Sequence, residues 1–193
     1  MNPLYALLHR MFARPRGRLG RLGGRLMASS STESTAWTLS LLDPEPADSV
    51  LEIGFGPGLG VESALARVFD GHVVGVDPSR PMVEQAAARN EQALATGRTS
   101  LCRGDVEALP FEADTFECAF STNSMQVWPD AQAGLKEIRR VCKPDGTVAL
   151  SFSTHSGLSR DAAVETVSAS ELEFVDVVET ADAFCVLGRV GDP

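Results

Sequence analysis

Four glycines at alternate positions, Gly54, Gly56, Gly58 and Gly60, follow a short apolar run in Val50-Leu-Glu-Ile-Gly-Phe-Gly-Pro-Gly-Leu-Gly60. Such a turn, leading from a strand into a helix, brings main-chain N–H groups and a positive helix end close to a ligand. Its sequence separates the ligand classes that use turns of this kind. A phosphate-cradling P-loop needs Lys followed by Ser or Thr after its last glycine; Val61-Glu62 stands there instead. The dinucleotide fingerprint needs glycine or alanine five residues after its first glycine. Leu59 and Val61 occupy those positions, and the neighbouring Glu52 would repel a diphosphate. The first class is excluded and the second weakened. Two more carboxylates end apolar runs. Asp77 closes His72-Val-Val-Gly-Val-Asp77, where it can accept both hydroxyls of a ribose, and Asp105 follows Gly104.

These residues need a scaffold that carries strand ends to one edge. From residue 48, apolar runs of strand length alternate with helical patterns, which predicts a parallel sheet with helices on both faces. Strands are expected over 49–53, 72–77, 99–104, 115–122 and 147–152. Helices are expected over 61–69, from Ser79 to about Ala95, over 130–142 and, more weakly, over 160–169. Met82, Val83, Ala86, Ala87 and Leu94 face the sheet in the second of these helices; Leu135, Ile138, Val141 and Cys142 do so in the third. Pro144-Asp-Gly146 stops that third helix, and residues 175–179 and 184–189 read as a closing hairpin.

Glu52-Ile-Gly54-Phe-Gly56-Pro-Gly58 resembles the first motif of class I S-adenosylmethionine-dependent methyltransferases. Asp77-Pro78-Ser79-Arg-Pro-Met82 is similar to their D-x-S-x-x-M run. Gly104-Asp105-Val106-Glu-Ala-Leu-Pro-Phe111 with Asp114-Thr-Phe116 looks like G-D-A-x-x-L-P-F…D-x-F-D, with Glu117 in place of the last acid. Glu137-Ile-Arg-Arg-Val-Cys-Lys-Pro-Asp-Gly146 resembles E-x-x-R-V-L-K-P-G-G, with Asp145 in place of a glycine; this last piece is architectural. The resemblance covers residues 48 to 153 in order and spacing. It implies an α/β fold, Rossmann-like and doubly wound, with a mostly parallel seven-stranded sheet in the order 3-2-1-4-5-7-6 and the last strand antiparallel.

The resemblance also implies roles. Glu52 would meet the cofactor's ammonium while the amides of Gly54, Gly56 and Gly58 lie against its methionine part. Asp77 would take the ribose, with Pro78 beside it, Asp105 the adenine amine and the Val106 N–H a ring nitrogen; Thr122, at the fourth strand end, joins this set. Met82 either packs near the adenine or simply faces the core. The reaction would leave S-adenosylhomocysteine, and much of its rate would come from holding donor and acceptor in line. The acceptor pocket is expected beyond strands 4 and 5. Asn123 there is outside any N/D-P-P-Y sequence, which argues against nucleobase amines. Gln126 and Trp128 would frame a substrate, although Trp128 equally suits helix packing. His155 is the histidine placed for acid–base work, or an ordinary loop residue. A dinucleotide oxidoreductase and a non-catalytic binding protein of the same fold remain the rival readings.

The whole chain bounds these readings. Its 193 residues suit one domain, and 44% apolar with 22% charged residues is ordinary globular composition. No apolar run reaches membrane-spanning length, and the N-terminus lacks a secretory pattern, so a cytoplasmic location is expected. Six arginines (Arg10, Arg14, Arg16, Arg18, Arg21, Arg25) precede the first acid, Glu33, leaving 11 basic residues to face all 26 acids. An acidic body with a cationic arm argues against nucleic acid as a partner and leaves a small-molecule or lipid-like acceptor. Residues 1–47 are expected to be an arginine-rich arm, with 36–42 a short helix packing on the body, and 48–193 the cofactor domain. The arm reads as a lid, a solvated tail or a membrane-surface contact. Cys102, Cys118, Cys142 and Cys185 lack paired spacing and are expected to be free thiols, with no metal.

Overall fold

The computed structural model describes residues 33–191; the six arginines of the N-terminal arm lie outside them. Seven strands form one sheet: β1 (Ser49–Ile53), β2 (His72–Asp77), β3 (Thr99–Arg103), β4 (Phe116–Thr122), β5 (Cys142–Ser153), β6 (Glu173–Glu179) and β7 (Ala183–Arg189). Their order is β3-β2-β1-β4-β5-β7-β6. Strands β3 through β5 are parallel, and β7 runs antiparallel to both β5 and β6. β1 and β2 are covered on both faces, which is why they read as continuous apolar runs rather than as alternating ones.

One face carries α1 (residues 33–42), α2 (Leu59–Leu65), α3 (Arg80–Arg89) and α4 (Glu91–Ala95). The other carries α5 (Ala131–Val141), α6 (Arg160–Ser168) and the 3₁₀ turn Val106–Ala108. α5 forms because Gly134, Leu135, Ile138 and Val141 make one buried stripe. Asp130 caps it by accepting the Ala133 N–H at 3.0 Å, and Arg139 and Arg140 close its last turn.

Three local expectations change. The helix after the glycine turn ends at Leu65 and does not reach Phe69, which is 58% exposed. The Arg67 and Val68 N–H groups both turn back to Ala64 O, tightening the chain toward Gly71. There a Cβ would stand 2.1 Å from Asp48 O, so the segment must pass hard against the entry to β1. The helix expected to reach Ala95 breaks at Asn90, whose Nδ2 donates to Gly58 O and Ala86 O at 3.1 and 2.9 Å, bonding the main chain in place of extending the helix. Pro144-Asp-Gly146 lies within β5 rather than before it. Phe116 pairs Cys142 while Cys118 pairs Thr147, so extra residues bulge out there, with Asp145 at φ 62. Cys142 therefore opens a strand instead of lying on a helix face. All four cysteines are free, and Cys118, Cys142 and Cys185 are buried.

α1 lies on the arm side of the expected division at residues 47 and 48, yet it shares a core with the sheet. Leu39 and Leu42 pack in the same cluster as Val50, Phe120, Ala149 and Cys185. Thr38 Oγ1 and Ser151 Oγ meet at 2.6 Å, and Arg67 Nη1 donates to Leu39 O. The end of α1 leads to the start of β1, while Thr38 stands opposite Ser151 near the end of β5. The helix thus begins at the carboxyl edge of the sheet.

Candidate functional site

β1 pairs with β2 on one side and β4 on the other. Connections leave in opposite directions at this place, and the crevice beyond the strand ends is where open α/β sheets take ligands. A cleft opens there. Gly54, Gly56, Asp77, Pro78, Met82, Asp105, Val106, Asn123 and Trp128 line it, so nine of the residues expected from sequence come together. Glu52, Gly58, Thr122, Gln126 and His155 are not among its lining residues.

The turn between β1 and α2 is held from within. Gly54 N–H donates to Val76 O at 2.7 Å and Gly58 N–H to Phe55 O at 3.0 Å. Gly56 N–H donates to Asp77 Oδ2 at 2.9 Å. The amides of all three glycines thus have an acceptor within the protein. Only Gly56 presents open space: at φ 53, a Cβ there would meet nothing within 4 Å. The other glycines allow close packing. A Cβ on Gly54 would fall 2.1 Å from Ser124 Oγ, one on Gly58 2.7 Å from Ala86 Cβ, and one on Gly60 2.0 Å from Glu52 Oε1.

Glu52 consequently sits behind the turn, against Gly60 and under the first turn of α2, 4% exposed. Its Oε2 has no partner among the described residues. Burial, then the charge of Asp77, raises its pKa well above the ordinary value, with the Val61 N–H acting the other way. Gly60, absent from the expected site set, is the signal in the sequence for this arrangement: the carboxyl fits only over a residue without a side chain.

Asp77 is the junction of the cleft. Oδ2 accepts from Gly56 N–H and Oδ1 from Ser79 N–H at 2.8 Å. Each oxygen has further lone-pair capacity for a hydroxyl donor. Burial raises its pKa to about 6, against the pull of the two N–H groups. Met82 is both core and wall, 1% exposed yet lining the cleft, so its two readings merge. Asp105 is exposed, and its carboxylate accepts no hydrogen bond from the described residues. The segment after it is clamped by α5. Glu137 Oε2 accepts Leu109 N–H at 2.8 Å, and Arg140 donates to Leu109 O and Phe111 O while pairing with Glu137. The Glu137 motif thus holds the loop after Asp105 without lining the cleft.

Beyond the ends of β4 and β5, Asn123 adopts φ 51 and its Oδ1 accepts the Ser153 N–H at 2.7 Å. That bond ties the ends of β4 and β5 and leaves the amide nitrogen and one lone pair of the oxygen for a ligand. Thr122 turns instead to Ser151, whose hydroxyl lies 3.3 Å away, within the ladder that ends at Thr38. Trp128 packs and lines the cleft at once. Its Nε1–H donates to Ser124 Oγ at 2.8 Å, its ring lies over Gly134, and it lines the cleft with Val127 and Pro129. Gln126 Oε1 is out of water and has no partner among the described residues. His155 is exposed, and among the described residues only Thr154 Oγ1, at 3.4 Å, is its partner. Ser124, Val127 and Pro129 were not singled out from the sequence; the Ser124-x-x-x-Trp128 spacing was their one available sign.

The wall carries Asp77 and Asp105 and, among the described residues, no Lys, Arg or His. A diphosphate would find neither a countercharge nor an uncommitted glycine amide. A nucleoside with a cationic tail finds acceptors for its sugar and base and a wall of matching sign, so the residues present fit S-adenosylmethionine. Among the described residues no three His, Cys, Asp or Glu side chains are grouped to hold a metal ion, and no helix is long and apolar enough to cross a membrane.

Comparison with known proteins agrees. Residues 50–146 match the family model described as a methyltransferase domain. An uncharacterized methyltransferase of Bacillus subtilis, YdaC, is 33% identical over 131 residues, which cover 68% of this chain and 70% of that protein. A chloroplastic 2-methyl-6-phytyl-1,4-hydroquinone methyltransferase of rice is 34% identical over 62% of this chain and 35% of its own length. The crystal structure of a SAM-dependent methyltransferase from Aquifex aeolicus superposes with a TM-score of 0.74 at 18% identity, covering 81% of this chain and 89% of that one. With the topology, the cleft and the family match in agreement, the chain belongs to the methyltransferase family, of the class I S-adenosylmethionine-dependent kind.

Proposed function

We propose that this protein transfers a methyl group from S-adenosylmethionine to a small, largely apolar acceptor of the quinone-like or secondary-metabolite kind, as a cytoplasmic enzyme. The observation that carries the reading is the cleft wall: two carboxylates at the ends of β2 and β3, no cation among the described residues, and Gly56 open beside them. When bound, the cofactor supplies a methyl carbon already activated by its sulfonium. Asp77 receives the ribose hydroxyls, Asp105 the adenine amine, and Met82 and Val106 close on the purine from the core side. Val127, Trp128 and Pro129 give the acceptor an apolar seat and exclude water. Asn123 keeps β4 and β5 in register at the methyl position. Positioning supplies the rate, and His155, outside the cleft, takes no part.

The rice relative's hydroquinone acceptor favours a phenolic or enolic hydroxyl, or an activated ring carbon. The reading of the N-terminal arm as a lid over the acceptor opening draws support from α1, which begins at the carboxyl edge of the sheet. Calorimetry with S-adenosylmethionine, S-adenosylhomocysteine and a nicotinamide dinucleotide tests the cofactor; binding of the dinucleotide alone would overturn the reading. Methyl transfer to a hydroquinone panel, with and without residues 1–30, tests acceptor and lid. Binding without turnover on any acceptor would favour the non-catalytic rival, and unchanged acceptor kinetics on truncation would remove the lid.

A further inference from the structure

A second cleft opens between α2, α3 and α4 and shares no lining residue with the first. Glu62, Leu65, Arg89, Gln92, Thr96 and Arg98 form most of its wall. Two guanidinium groups meet there with one carboxylate. Glu62 Oε2 takes Arg89 Nη1 at 3.1 Å. Arg98 has no ion-pair partner among the described residues; its Nη2 donates to the main-chain oxygens of Leu65 and Val68 at 3.1 and 2.7 Å. Its Nε is out of water and has no acceptor among the described residues. Arg98 Nη1 and Arg89 Nη2 also find no acceptor among the described residues. In a chain of formal net charge −9, this concave surface keeps an excess of positive charge and donors to spare. Leftover guanidinium donors of this kind recognise oxyanions.

The same residues hold the glycine turn from behind. Arg89 Nε donates to Pro57 O at 3.2 Å. Asn90, a further wall residue and only 5% exposed, donates to Gly58 O. Gly58 packs so closely that a Cβ would lie 2.8 Å from Asn90 Nδ2. A ligand that drew Arg89 toward it would pull on Pro57, next to the Gly56 that faces the first cleft.

We propose that this second cleft binds a small oxyanion, phosphate or carboxylate, and that its occupancy alters ligand affinity at the first cleft through Arg89 and Asn90. The binding half stands on the second cleft alone, while the coupling half rests on the cofactor reading above. Such coupling is reciprocal between the two ligands.

The test is calorimetry on the full chain at constant ionic strength, titrating inorganic phosphate and, separately, succinate; the anion that gives saturable heat identifies the source. Gln92→Glu adds a carboxylate to the wall from an exposed position on α4. It should leave the melting temperature unchanged and weaken anion binding at least tenfold. Arg98→Lys, which keeps the charge and loses the fork, should weaken it as well. With the anion saturating, the Kd of S-adenosylhomocysteine should move at least threefold in the native chain and stay fixed in Gln92→Glu. No heat from either anion, or anion binding indifferent to Gln92→Glu, would overturn the site. Anion binding with an unmoved S-adenosylhomocysteine Kd would overturn the coupling. If S-adenosylhomocysteine itself fails to bind, the cofactor reading and the coupling fall together and the anion site stands on its own titration.

Discussion

Acidification should loosen ligand binding at the first cleft while tightening the fold, and Asp77 is the reason. Its pKa stands at about 6 in the folded chain against 3.8 as the ordinary value, because burial penalises the anion. With the folded value raised, the protonated form is the one the fold prefers. Stability from this group is complete below pH 3.8 and is lost as pH rises through 6. A shift of roughly 2 units corresponds to about 3 kcal/mol. Ligand binding runs the other way, since the ribose hydroxyls need acceptors and protonation turns one of the Asp77 oxygens into a donor. If the bound complex holds Asp77 ionised down to about pH 4, affinity should fall about tenfold, or ~1.4 kcal/mol, between pH 7 and pH 5. The charged groups nearby are Glu52, buried behind the turn with its own pKa raised, and Asp105 on the wall. The assay is calorimetry of S-adenosylhomocysteine across that range, beside urea unfolding of the unliganded protein. Asp77→Asn should bind weakly and lose the slope. Flat affinity from pH 7 to pH 5 in the native chain, or an unchanged slope in Asp77→Asn, would refute the assignment.

Other consequences are open to direct measurement. Gly60→Ala drives a methyl group into Glu52 Oε1, and overpacking of that kind should cost about 1–3 kcal/mol in urea unfolding. Thr38→Val removes the 2.6 Å contact with Ser151 and should cost about 1 kcal/mol; in a cycle with Ser151→Ala, additive losses would show that the pair is not coupled. His155→Ala should change turnover by less than about twofold, where loss of a general base would cost about a hundredfold or more. A pH–rate profile of that variant distinguishes the two outcomes.

The residues of the cleft were legible because strand ends and apolar runs are local patterns, while the sheet order came with the family resemblance that four motifs in register carry. What could not be read was the direction of side chains at crowded places. Glu52 and Asp77 are both acids at strand ends, yet one faces away from the cleft and one into it. The difference lies in what stands over each: helix α2 over Glu52 and open crevice beside Asp77. Helix ends failed in the same way. Nothing in residues 66–69 forbids helix; Gly71 against Asp48 O stops it, a contact made across the fold. His155 and Asn123 looked alike as polar residues after strands, but Asn123 is drawn into the β4–β5 junction and His155 stays in solvent.

The glycine turn shows why motif and mechanism separate here. In an anion-binding turn the glycines free the amides to face the ligand. In this one the amides of Gly54, Gly56 and Gly58 bond Val76 O, Asp77 Oδ2 and Phe55 O, and three of the four glycines make room for Ser124, Ala86 and Glu52. The turn is thereby a rigid floor with one opening at Gly56. What the cleft wall presents is the carboxylates of Asp77 and Asp105, which accept hydrogen bonds and tolerate positive charge. A wall with acceptors, without cations and without available glycine amides selects against a diphosphate by its composition. It selects for a nucleoside carrying a sulfonium for the same reason, and that selection follows from the side chains even though the fold is shared with dinucleotide-binding proteins.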